Sequence, residues 1–437
     1  MRTRDWGFKR WLMTISAGIL LFSGSLIFLL DWRTINKLQW HLLRLFFRMT
    51  GQVRSLLPLA LPLLLLGLFL IGWGFYRLLD SLISDLGYPG SWPRQLYKTR
   101  HGRRGPRIVV VGGGTGLASL LRGLKEYTIN LSAIVTVADD GGSSGRLREE
   151  MGILPPGDVR NCLLALADAE PLLNKLFQYR FTGEEGTLAG HNFGNLFLAA
   201  MGDVTGDFLT AIKEFSRVLA VRGQVLPSTL KEVYLEAEYT DASVVRGEHK
   251  IPQSGKRIKK VSLVPADAEP LPEALAAIAE ADLIVLGPGS LYTSIIPNLL
   301  VDGITKAILR ARAPKVYVCN VMTQPGESEG YTALEHVEAL IAHSHKKIID
   351  FVLMNNDFAL PQELLEKYQL EGSYPVESRA EEIRKLGYIP IEAPIISKKN
   401  LLRHDSQLLA QALMELLHSK YAKKKALRKP GFLVNTD

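Results

Sequence analysis

The sequence predicts an α/β protein, with a doubly wound, mostly parallel sheet preceded by two transmembrane helices. The β-branched run Ile108–Val111 is typical of a strand buried on both faces, and a GGGTG turn and a segment with helical spacing follow it. The apolar run at residues 131–138 predicts the next parallel strand. Long uncharged segments at residues 11–30 and 55–76 predict the two membrane spans.

Each uncharged segment is long enough to cross a hydrocarbon core of about 30 Å at about 1.5 Å per residue. Pro58 and Pro62 fall in the first turns of the second segment, where a missing N–H costs least. A cleaved signal peptide is the alternative for the first segment, but no small-x-small cleavage site follows it. We therefore predict a membrane anchor at residues 1–86.

The rest of the chain divides into a connecting part and a globular part. Residues 35–49 carry apolar side chains at helical spacing with basic residues between them, which predicts a helix in the headgroup region. Residues 87–106 are rich in Gly, Pro, Arg and Lys and predict a basic linker. The globular domain is predicted at residues 107–437, with later buried strands at 282–287, 315–321 and 348–355 and an antiparallel insertion at 231–264.

Charge is distributed unevenly along the chain. Residues 1–107 contain 16 Lys and Arg against 4 Asp and Glu, whereas residues 108–437 contain 36 against 40. The globular part is therefore mildly acidic, which argues against a nucleic-acid-binding face. The only cysteines, Cys162 and Cys319, lie in apolar or strand-like runs, so a disulfide framework and a structural zinc site are excluded. This and a small positive-inside bias favour a cytoplasmic globular domain.

A glycine-rich loop joins the first predicted strand to its helix. Small residues let backbone N–H groups approach a phosphate, and a helix N-terminus favours negative charge. The loop fits neither G-x-G-x-x-G nor the P-loop, because Leu117 takes the place of a third glycine and no Lys follows. A tight turn without a ligand is the alternative, although four glycines in five residues exceed what a turn needs. The predicted phosphate-binding residues are Gly112, Gly113, Gly114, Thr115 and Gly116.

The second motif, DDGGSSGR, follows the second strand at the sheet edge where open α/β proteins bind ligands. Its two carboxylates suit a ribose hydroxyl pair or a Mg²⁺ ion, and its Ser and Gly residues can donate to phosphate. A solvated loop is the alternative. Carboxylates and phosphate repel unless a cation or a ribose lies between them, so Mg²⁺ on Asp139 and Asp140 is a candidate cofactor. The predicted ligand-binding residues are Asp139, Asp140, Gly141, Ser143 and Ser144.

Two further polar loops precede predicted helices. In PPGDVRN, Asp158 is placed to cap a helix at residues 162–169, and capping alone is the alternative to ligand binding. In GHNFGNL, His191 is either a structural donor or a group that contacts phosphate or acts as an acid. The candidate ligand-binding residues of these loops are Asp158, Asn161, His191 and Asn195.

The strands predicted at 282–287 and 315–321 also end in polar loops. GPGSLYTS repeats the order of strand, Gly-rich turn, hydroxyl and helix, which predicts a second anion site or the far half of the first one. CNVMTQPGE carries polar groups suited to sugar or base edges. The candidates are Gly287, Gly289, Ser290, Tyr292, Asn320 and Thr323.

In this order, GGGTGL, DDGGSSGRLR, PPGDVRN, GHNFGNL, GPGSLYTSIIPNLLV and CNVMTQPGE resemble the CofD-like superfamily, and within it the gluconeogenesis factor branch of YvcK-type bacterial proteins. The resemblance covers residues 107–418 and implies a Rossmann-like domain that binds UDP-N-acetylglucosamine. It also implies a role in cell shape and peptidoglycan synthesis during gluconeogenic growth. A late Tyr and an LRH segment of the family correspond to Tyr368 and Arg403. Members of this branch typically begin near the GGGTG strand, so the membrane segment is a departure.

Two functions follow from the resemblance. The leading expectation is a membrane-anchored regulatory protein that senses UDP-N-acetylglucosamine and acts through a protein partner in cell-wall synthesis. Assembly into a homo-oligomer is compatible with this expectation. The alternative is a 2-phospho-L-lactate transferase-like enzyme, which in the sister branch uses a nucleotide-activated donor and Mg²⁺. A purely structural membrane scaffold would leave the polar glycine loops unexplained.

Overall fold

The computed structural model describes residues 4–30, 44, 57–85, 105–168, 171–182, 186–398 and 401–419. It divides into an N-terminal unit, residues 1–100, and a larger α/β unit, residues 101–437. The predicted headgroup helix at 35–49 lies outside the described residues apart from Arg44. The predicted linker lies outside them as well, apart from Gly105 and Pro106.

The described part of the N-terminal unit consists of helices α1, Arg4–Leu30, and α2, Leu57–Asp85. A Cβ on Gly18 would lie 2.9 Å from the carbonyl oxygen of Gly67, and one on Gly67 would lie 2.8 Å from the amide nitrogen of Phe22. Glycine at both positions therefore lets the two helix backbones touch.

The two predicted spans differ in the length of their apolar helical segments. In the described part of the chain, the segment Leu61–Leu78 of α2 is long and apolar enough to cross a bilayer, with a mean hydropathy of 1.7. The apolar part of α1, Arg10–Leu26, falls short of the 18 residues required of a candidate span. These criteria therefore favour the second predicted span and fall short for the first.

A seven-stranded parallel sheet forms the centre of the α/β unit, which confirms the α/β part of the predicted fold class. The strand order is β10-β9-β8-β7-β1-β2-β3, so the chain runs outward from β1 in one direction and later from β7 in the other. The crevice at such a reversal is where open α/β sheets bind ligands. The strands are β1 Ile108–Gly112, β2 Leu131–Val135, β3 Gln224–Pro227, β7 Leu283–Leu286, β8 Lys315–Val318, β9 Phe351–Asn355 and β10 Ile389–Ala393.

Helices cover both faces of this sheet. Val109 and Val111 of β1 belong to one apolar core, and Ile108 and Val110 belong to the core on the opposite face. This explains the unbroken apolar run in the sequence of β1. The helices are α3 Gly114–Leu124, α4 Gly142–Met151, α5 Gly157–Leu166, α6 Pro171–Gln178, α7 Phe193–Thr205, α8 Phe208–Val218, α9 Pro272–Glu280, α10 Ile296–Leu300, α11 Ile304–Arg310, α12 Ala333–Ala342, α13 Gln362–Leu370, α14 Ala380–Lys385 and α15 Ser406–His418.

The insertion predicted at residues 231–264 is a three-stranded antiparallel sheet in the order β5-β4-β6. Its strands are β4 Tyr234–Tyr239, β5 Val244–Arg246 and β6 Ile258–Val264. A short antiparallel pair, β11 Ile396–Ser397 and β12 Arg403–His404, precedes the last helix.

The helix predicted at 162–169 begins earlier than the sequence suggested. α5 starts at Gly157, with Pro156 as the N-cap residue. A proline costs little at this position, because the first N–H groups of a helix have no partner within it. Asp158 consequently lies inside the first turn, and the prediction that it caps the helix is wrong.

Candidate functional site

The loops that follow β1 and β7 lie against each other where the strand order reverses. A Cβ on Gly289 would lie 3.1 Å from the carbonyl oxygen of Gly113, and one on Gly116 would lie 3.0 Å from that of Pro288. Glycine at both positions lets the two loop backbones come this close without displacing each other. The two glycine motifs of the sequence therefore form two halves of one site.

The first turn of α3 presents backbone N–H groups to this site. The helix begins at Gly114, whose φ is 68°, and the N-cap residue Gly113 has no side chain to bond the free amides. The Gly114 N–H already donates to the buried Asp158 carboxyl group, whereas the remaining first-turn amides and the positive end of the helix dipole favour an anion at this position. The predicted phosphate loop thus has the geometry of an anion-binding helix N-terminus.

A cavity of about 620 Å³ lies beside these loops. A hydrogen-bonded chain runs along its wall, in which Gln324 Nε2 donates to Ser290 Oγ at 2.9 Å and Asn320 Nδ2 donates to Gln324 Oε1 at 3.3 Å. The chain joins the loops after β7 and β8 and fixes the orientation of their amide and hydroxyl groups. The volume and the polar lining suit a ligand of nucleotide size.

The outer wall of the cavity comes from two elements that are distant in sequence from the glycine loops. Lys367 and Tyr368 of α13 line it, as do Arg403 and His404 of β12. Burial lowers the pKa of His404 to about 4, so the imidazole is neutral near pH 7. Lys367 and Arg403 therefore supply the positive charge of this wall, where an anionic ligand would benefit from it.

Three carboxyl groups, which we call the acidic cluster, are Asp139, Asp158 and Glu248. Burial raises the pKa of Asp158 to about 7, and the Asp139 carboxylate adds to this effect. Burial also raises the pKa of Glu248 to about 8, again with a contribution from Asp139. A Cβ on Gly113 would collide with Asp158 Oδ2, so this cluster touches the phosphate loop. Near pH 7 the cluster holds protons as well as charge.

A further carboxyl group, that of Glu327 in the loop after β8, lines the cavity. Its Oε1 accepts a hydrogen bond from Thr293 Oγ1 at 2.9 Å, and its Oε2 accepts one from the Tyr292 N–H at 3.3 Å. Burial raises its pKa to about 7, although these hydrogen bonds act in the opposite direction.

The GHNFGNL loop packs against the first turn of α4. His191 Nδ1 lies 3.2 Å from Ser143 Oγ, and Asn192 caps α7 through its side-chain oxygen. Burial lowers the pKa of His191, with the nearby Arg146 guanidinium acting in the same direction. The predicted alternatives of structural donor and phosphate contact both stay open for this histidine, because a neutral ring serves either role.

Arg160 links two of the predicted residues. It donates from Nη1 to Asn195 Oδ1 at 2.7 Å and from Nη2 to Asn161 Oδ1 at 2.8 Å. Asn195 Nδ2 in turn lies 3.5 Å from Ser144 Oγ. The polar motifs after β2 and before α5 and α7 are thus brought into one network.

The structure separates the predicted residues into three groups. The first group consists of glycines with backbone roles. Gly112 is the last residue of β1, Gly287 directly follows β7, and the Gly141 N–H donates to Asp139 at 2.9 Å. The network beside the cavity contains Asp139, Ser143, Ser144, Asp158, Asn161, His191 and Asn195. The cavity itself is lined by Gly113, Gly114, Thr115, Gly116, Gly289, Ser290, Asn320, Thr323, Tyr368 and Arg403.

Two predicted residues have other roles, and a third has an additional one. Tyr292 is buried and its hydroxyl lies 2.9 Å from that of Tyr331, so the ring packs in the core and does not line the cavity. Asp140 Oδ1 accepts a hydrogen bond from the His249 N–H at 2.9 Å, which ties the insertion to the loop after β2. Thr323 lines the cavity but also accepts from the Tyr374 N–H at 2.9 Å, which fixes the wall.

The two predicted magnesium ligands, Asp139 and Asp140, have different partners in the structure. Asp140 is turned to the insertion, whereas Asp139 bonds the Gly141 N–H and lies near Asp158. Within the described ranges, no group of three or more His, Cys, Asp or Glu side chains is arranged to hold a metal ion. Mg²⁺ usually takes one or two carboxylates together with phosphate oxygens and water, so a magnesium ion at Asp139 and Asp140 stays a prediction.

Sequence reasoning missed several residues of the site. Ser119, Gln324 and Lys367 line the cavity, and Glu248 joins the acidic cluster from the insertion. Gln324 stands inside a motif that was already singled out, so its position after β8 was a usable signal. Glu248 and Lys367 lie outside every motif, because distant segments bring them to the site.

A profile of the CofD family, described as 2-phospho-L-lactate transferase CofD, matches residues 108–396. The chain belongs to this family. A gluconeogenesis factor from Bacillus subtilis is 53% identical over 313 residues, which cover 71% of this chain and 98% of that protein. A crystal structure of a UPF0052 family protein from Bacillus halodurans is 50% identical, covers 71% of this chain and 99% of that chain, and has a TM-score of 0.69.

Similarity within the CofD family also reaches the N-terminal unit. A relative from Nostoc sp. is 48% identical over 416 residues, which cover 93% of this chain and 90% of that protein. Residues 107–437 alone are too few to supply such a match, so it extends into the segment before them. The expectation that relatives begin near the GGGTG strand is therefore wrong for this one.

Proposed function

We propose that this CofD family protein binds UDP-N-acetylglucosamine in the cavity between the β1 and β7 loops and acts as a regulator. Through a protein partner it supports cell shape and peptidoglycan synthesis during gluconeogenic growth. The observation that carries the proposal is the cavity of about 620 Å³ that joins an anion-binding helix N-terminus to a cationic outer wall. Similarity to gluconeogenesis factors supports the regulatory role.

The two ends of the cavity match the two ends of a nucleotide sugar. The diphosphate would lie on the first-turn amides of α3 that follow Gly114, where the helix dipole favours negative charge. Tyr368 offers an aromatic face with a hydroxyl for the base or the sugar, and Arg403 offers a guanidinium fork. Asn320 and Gln324 supply amides for the sugar hydroxyls.

We further propose that α1 and α2 anchor the protein in the membrane as two spans, with the globular domain in the cytoplasm. The apolar composition of α2 and the glycine contacts between the two helices support this arrangement. Residues 1–10 and 77–107 carry 4 and 7 Lys and Arg, against 5 in the loop at residues 31–54 on the other side, and this difference supports the orientation.

Calorimetric titration of the full chain in detergent tests the binding proposal. UDP-N-acetylglucosamine should bind, and Tyr368→Ala or Arg403→Ala should each weaken binding by about 10- to 100-fold, as expected when a strong hydrogen bond or an aromatic contact is lost. Arg310→Ala, a change of an exposed arginine outside the cavity, is the matched control. Equal affinity in all four proteins would overturn the proposal.

A transferase of the CofD type is the second candidate, and the acidic cluster favours it. Asp158 and Glu248 have pKa values of about 7 and 8, which suit proton transfer near neutral pH. Incubation with a nucleotide-activated phospholactate donor and a deazaflavin acceptor, with and without Mg²⁺, separates the two functions by mass spectrometry. A transferred product that disappears in Asp158→Asn would replace the regulatory proposal with the enzymatic one.

A further inference from the structure

A second cavity, of about 590 Å³, lies between α4 and the antiparallel insertion, and we call it the basic pocket. α4 contributes to two sites, since Ser143 in its first turn contacts His191 whereas Arg146 and Arg148 line the basic pocket. The pocket is lined by Asp140, Gly142, Gly145, Arg146, Arg148, Glu149, Tyr234, Arg246, His249 and Lys250.

Arg148 is the most deeply placed cation of this pocket, with only 3% of its surface exposed. Its Nε lies 3.3 Å from Glu232 Oε1, and its Nη2 donates to the Val233 carbonyl at 2.7 Å. Its Nη1 is buried and has no hydrogen-bond partner among the residues that the structure describes. A buried guanidinium with an unused donor is costly unless a ligand or another group completes it.

An aromatic ring holds two of the guanidinium groups. The Cζ atoms of Arg148 and Arg246 lie 3.7 Å and 4.3 Å from the ring centroid of Tyr234. The Tyr234 hydroxyl donates to Glu232 at 2.7 Å, which fixes the ring. Arg148 uses two of its donors within the protein, whereas stacking leaves the N–H edge of Arg246 available to donate to phosphoryl oxygens.

The lining carries more positive charge than its own carboxylates balance. Arg146 Nη2 donates to a backbone carbonyl, that of Ala189. Among the residues that the structure describes, Arg246 and Lys250 take part in no ion pair. Of the two lining carboxylates, Asp140 already accepts from the His249 N–H.

We propose that the basic pocket binds a small anion bearing a phosphoryl group, at a site separate from the nucleotide-sugar cavity. Four cations, two of which stack on Tyr234, match the several oxygens and the multiple charge of a phosphoryl group. A concave pocket of this size suits a small molecule. The site does not depend on the identity of the ligand in the larger cavity.

Titration of the full chain with inorganic pyrophosphate tests this site. Arg246→Gln combined with Lys250→Gln should remove one equivalent of pyrophosphate binding, or weaken it at least tenfold, relative to the wild-type chain. Both side chains are exposed, so the fold should not change. Lys259→Gln combined with Lys260→Gln, on the same insertion but outside the pocket, should leave binding unchanged.

The outcomes decide between the two sites. Loss of pyrophosphate binding, with the affinity for UDP-N-acetylglucosamine kept within twofold, supports the basic pocket. Equal stoichiometry and affinity for pyrophosphate in the wild-type chain and in the Arg246→Gln, Lys250→Gln variant overturn it. Citrate binding more tightly than pyrophosphate would overturn the assignment to phosphoryl groups.

Discussion

Gly114 combines a positive φ of 68° with a position in the first turn of α3, beside the cavity. We expect Gly114→Val to abolish UDP-N-acetylglucosamine binding, because the side chain would occupy the space of the phosphate. It should also cost about 1–2 kcal/mol of stability, since a β-branched residue is strained at positive φ. Calorimetric titration and thermal unfolding measure the two effects.

Gly152 provides a control for the strain. Its φ is 64°, it ends α4, and no atom lies within 4 Å of a Cβ at this position. Gly152→Val should lose similar stability and keep full ligand affinity. If both variants bind equally well, the phosphate-loop assignment is wrong.

Asp158 makes ligand binding depend on pH. Burial raises its pKa from 3.8 to about 7, so below that pH it is neutral and does not repel an anion. A nucleotide diphosphate diester keeps its charge over this range, so affinity should fall as pH rises through about 7, by at most about tenfold per pH unit for one coupled proton. Asp158→Asn should reduce the slope between pH 6 and pH 8, and Glu327 and Glu248, which titrate in the same range, should account for the slope that remains. A wild-type profile as flat as that of the variant would contradict this coupling.

Individual residues show which parts of the site the sequence can predict. The glycine loops were predictable because close backbone contact leaves a local signature, as at Gly113 and Gly289. Tyr292 was misassigned because it stands inside such a motif, although its ring packs against Tyr331 in the core. Glu248 was missed because its approach to Asp139 depends on how the insertion folds back, which no local pattern encodes.

At the scale of elements, the central strands were predictable and the edge strands were not. β1, β7, β8 and β9 are fully buried, and their apolar runs mark them. The edge strands β3 and β10 contain Pro227 and Pro390 and are partly exposed. Proline is tolerated there because an edge strand has a free side, but it removes the sequence signal of a strand.

The contact between α1 and α2 depends on glycine in a testable way. Gly67→Leu should separate the helices, because a Cβ at this position would lie 2.8 Å from the backbone of Phe22. Gly72→Leu is the matched control on the same helix, since no atom lies within 4 Å of a Cβ there.

Cross-linking reports on this helix contact. A Cβ on Gly74 would lie 3.5 Å from that of Thr14, which is within the range for a disulfide, so Thr14→Cys with Gly74→Cys should cross-link within one chain under oxidation. Gly67→Leu should remove the cross-link and Gly72→Leu should keep it. Retention in both variants would contradict the glycine-mediated packing.

At the scale of the whole molecule, composition separates a basic, apolar N-terminal part from a mildly acidic α/β domain. The domain needs no membrane for its core, because both faces of its sheet are covered by its own helices. The N-terminal helices instead expose large apolar side chains such as Leu65 and Phe69. Such side chains are stable in contact with lipid and costly in water.

Fractionation of cells tests the proposed anchor and its orientation together. We expect the full chain to stay in the membrane pellet after alkaline carbonate washing, because apolar spans resist conditions that release peripheral proteins. Protease added to spheroplasts should leave the α/β domain intact, whereas protease added after lysis should release it from the membrane. Recovery of the chain in the soluble fraction would remove the anchor, and cleavage of the domain in intact spheroplasts would reverse the orientation. Cleavage in intact spheroplasts would also place the cavity on the side of the membrane opposite to cytoplasmic UDP-N-acetylglucosamine. The same experiment therefore tests both the location and the ligand proposals.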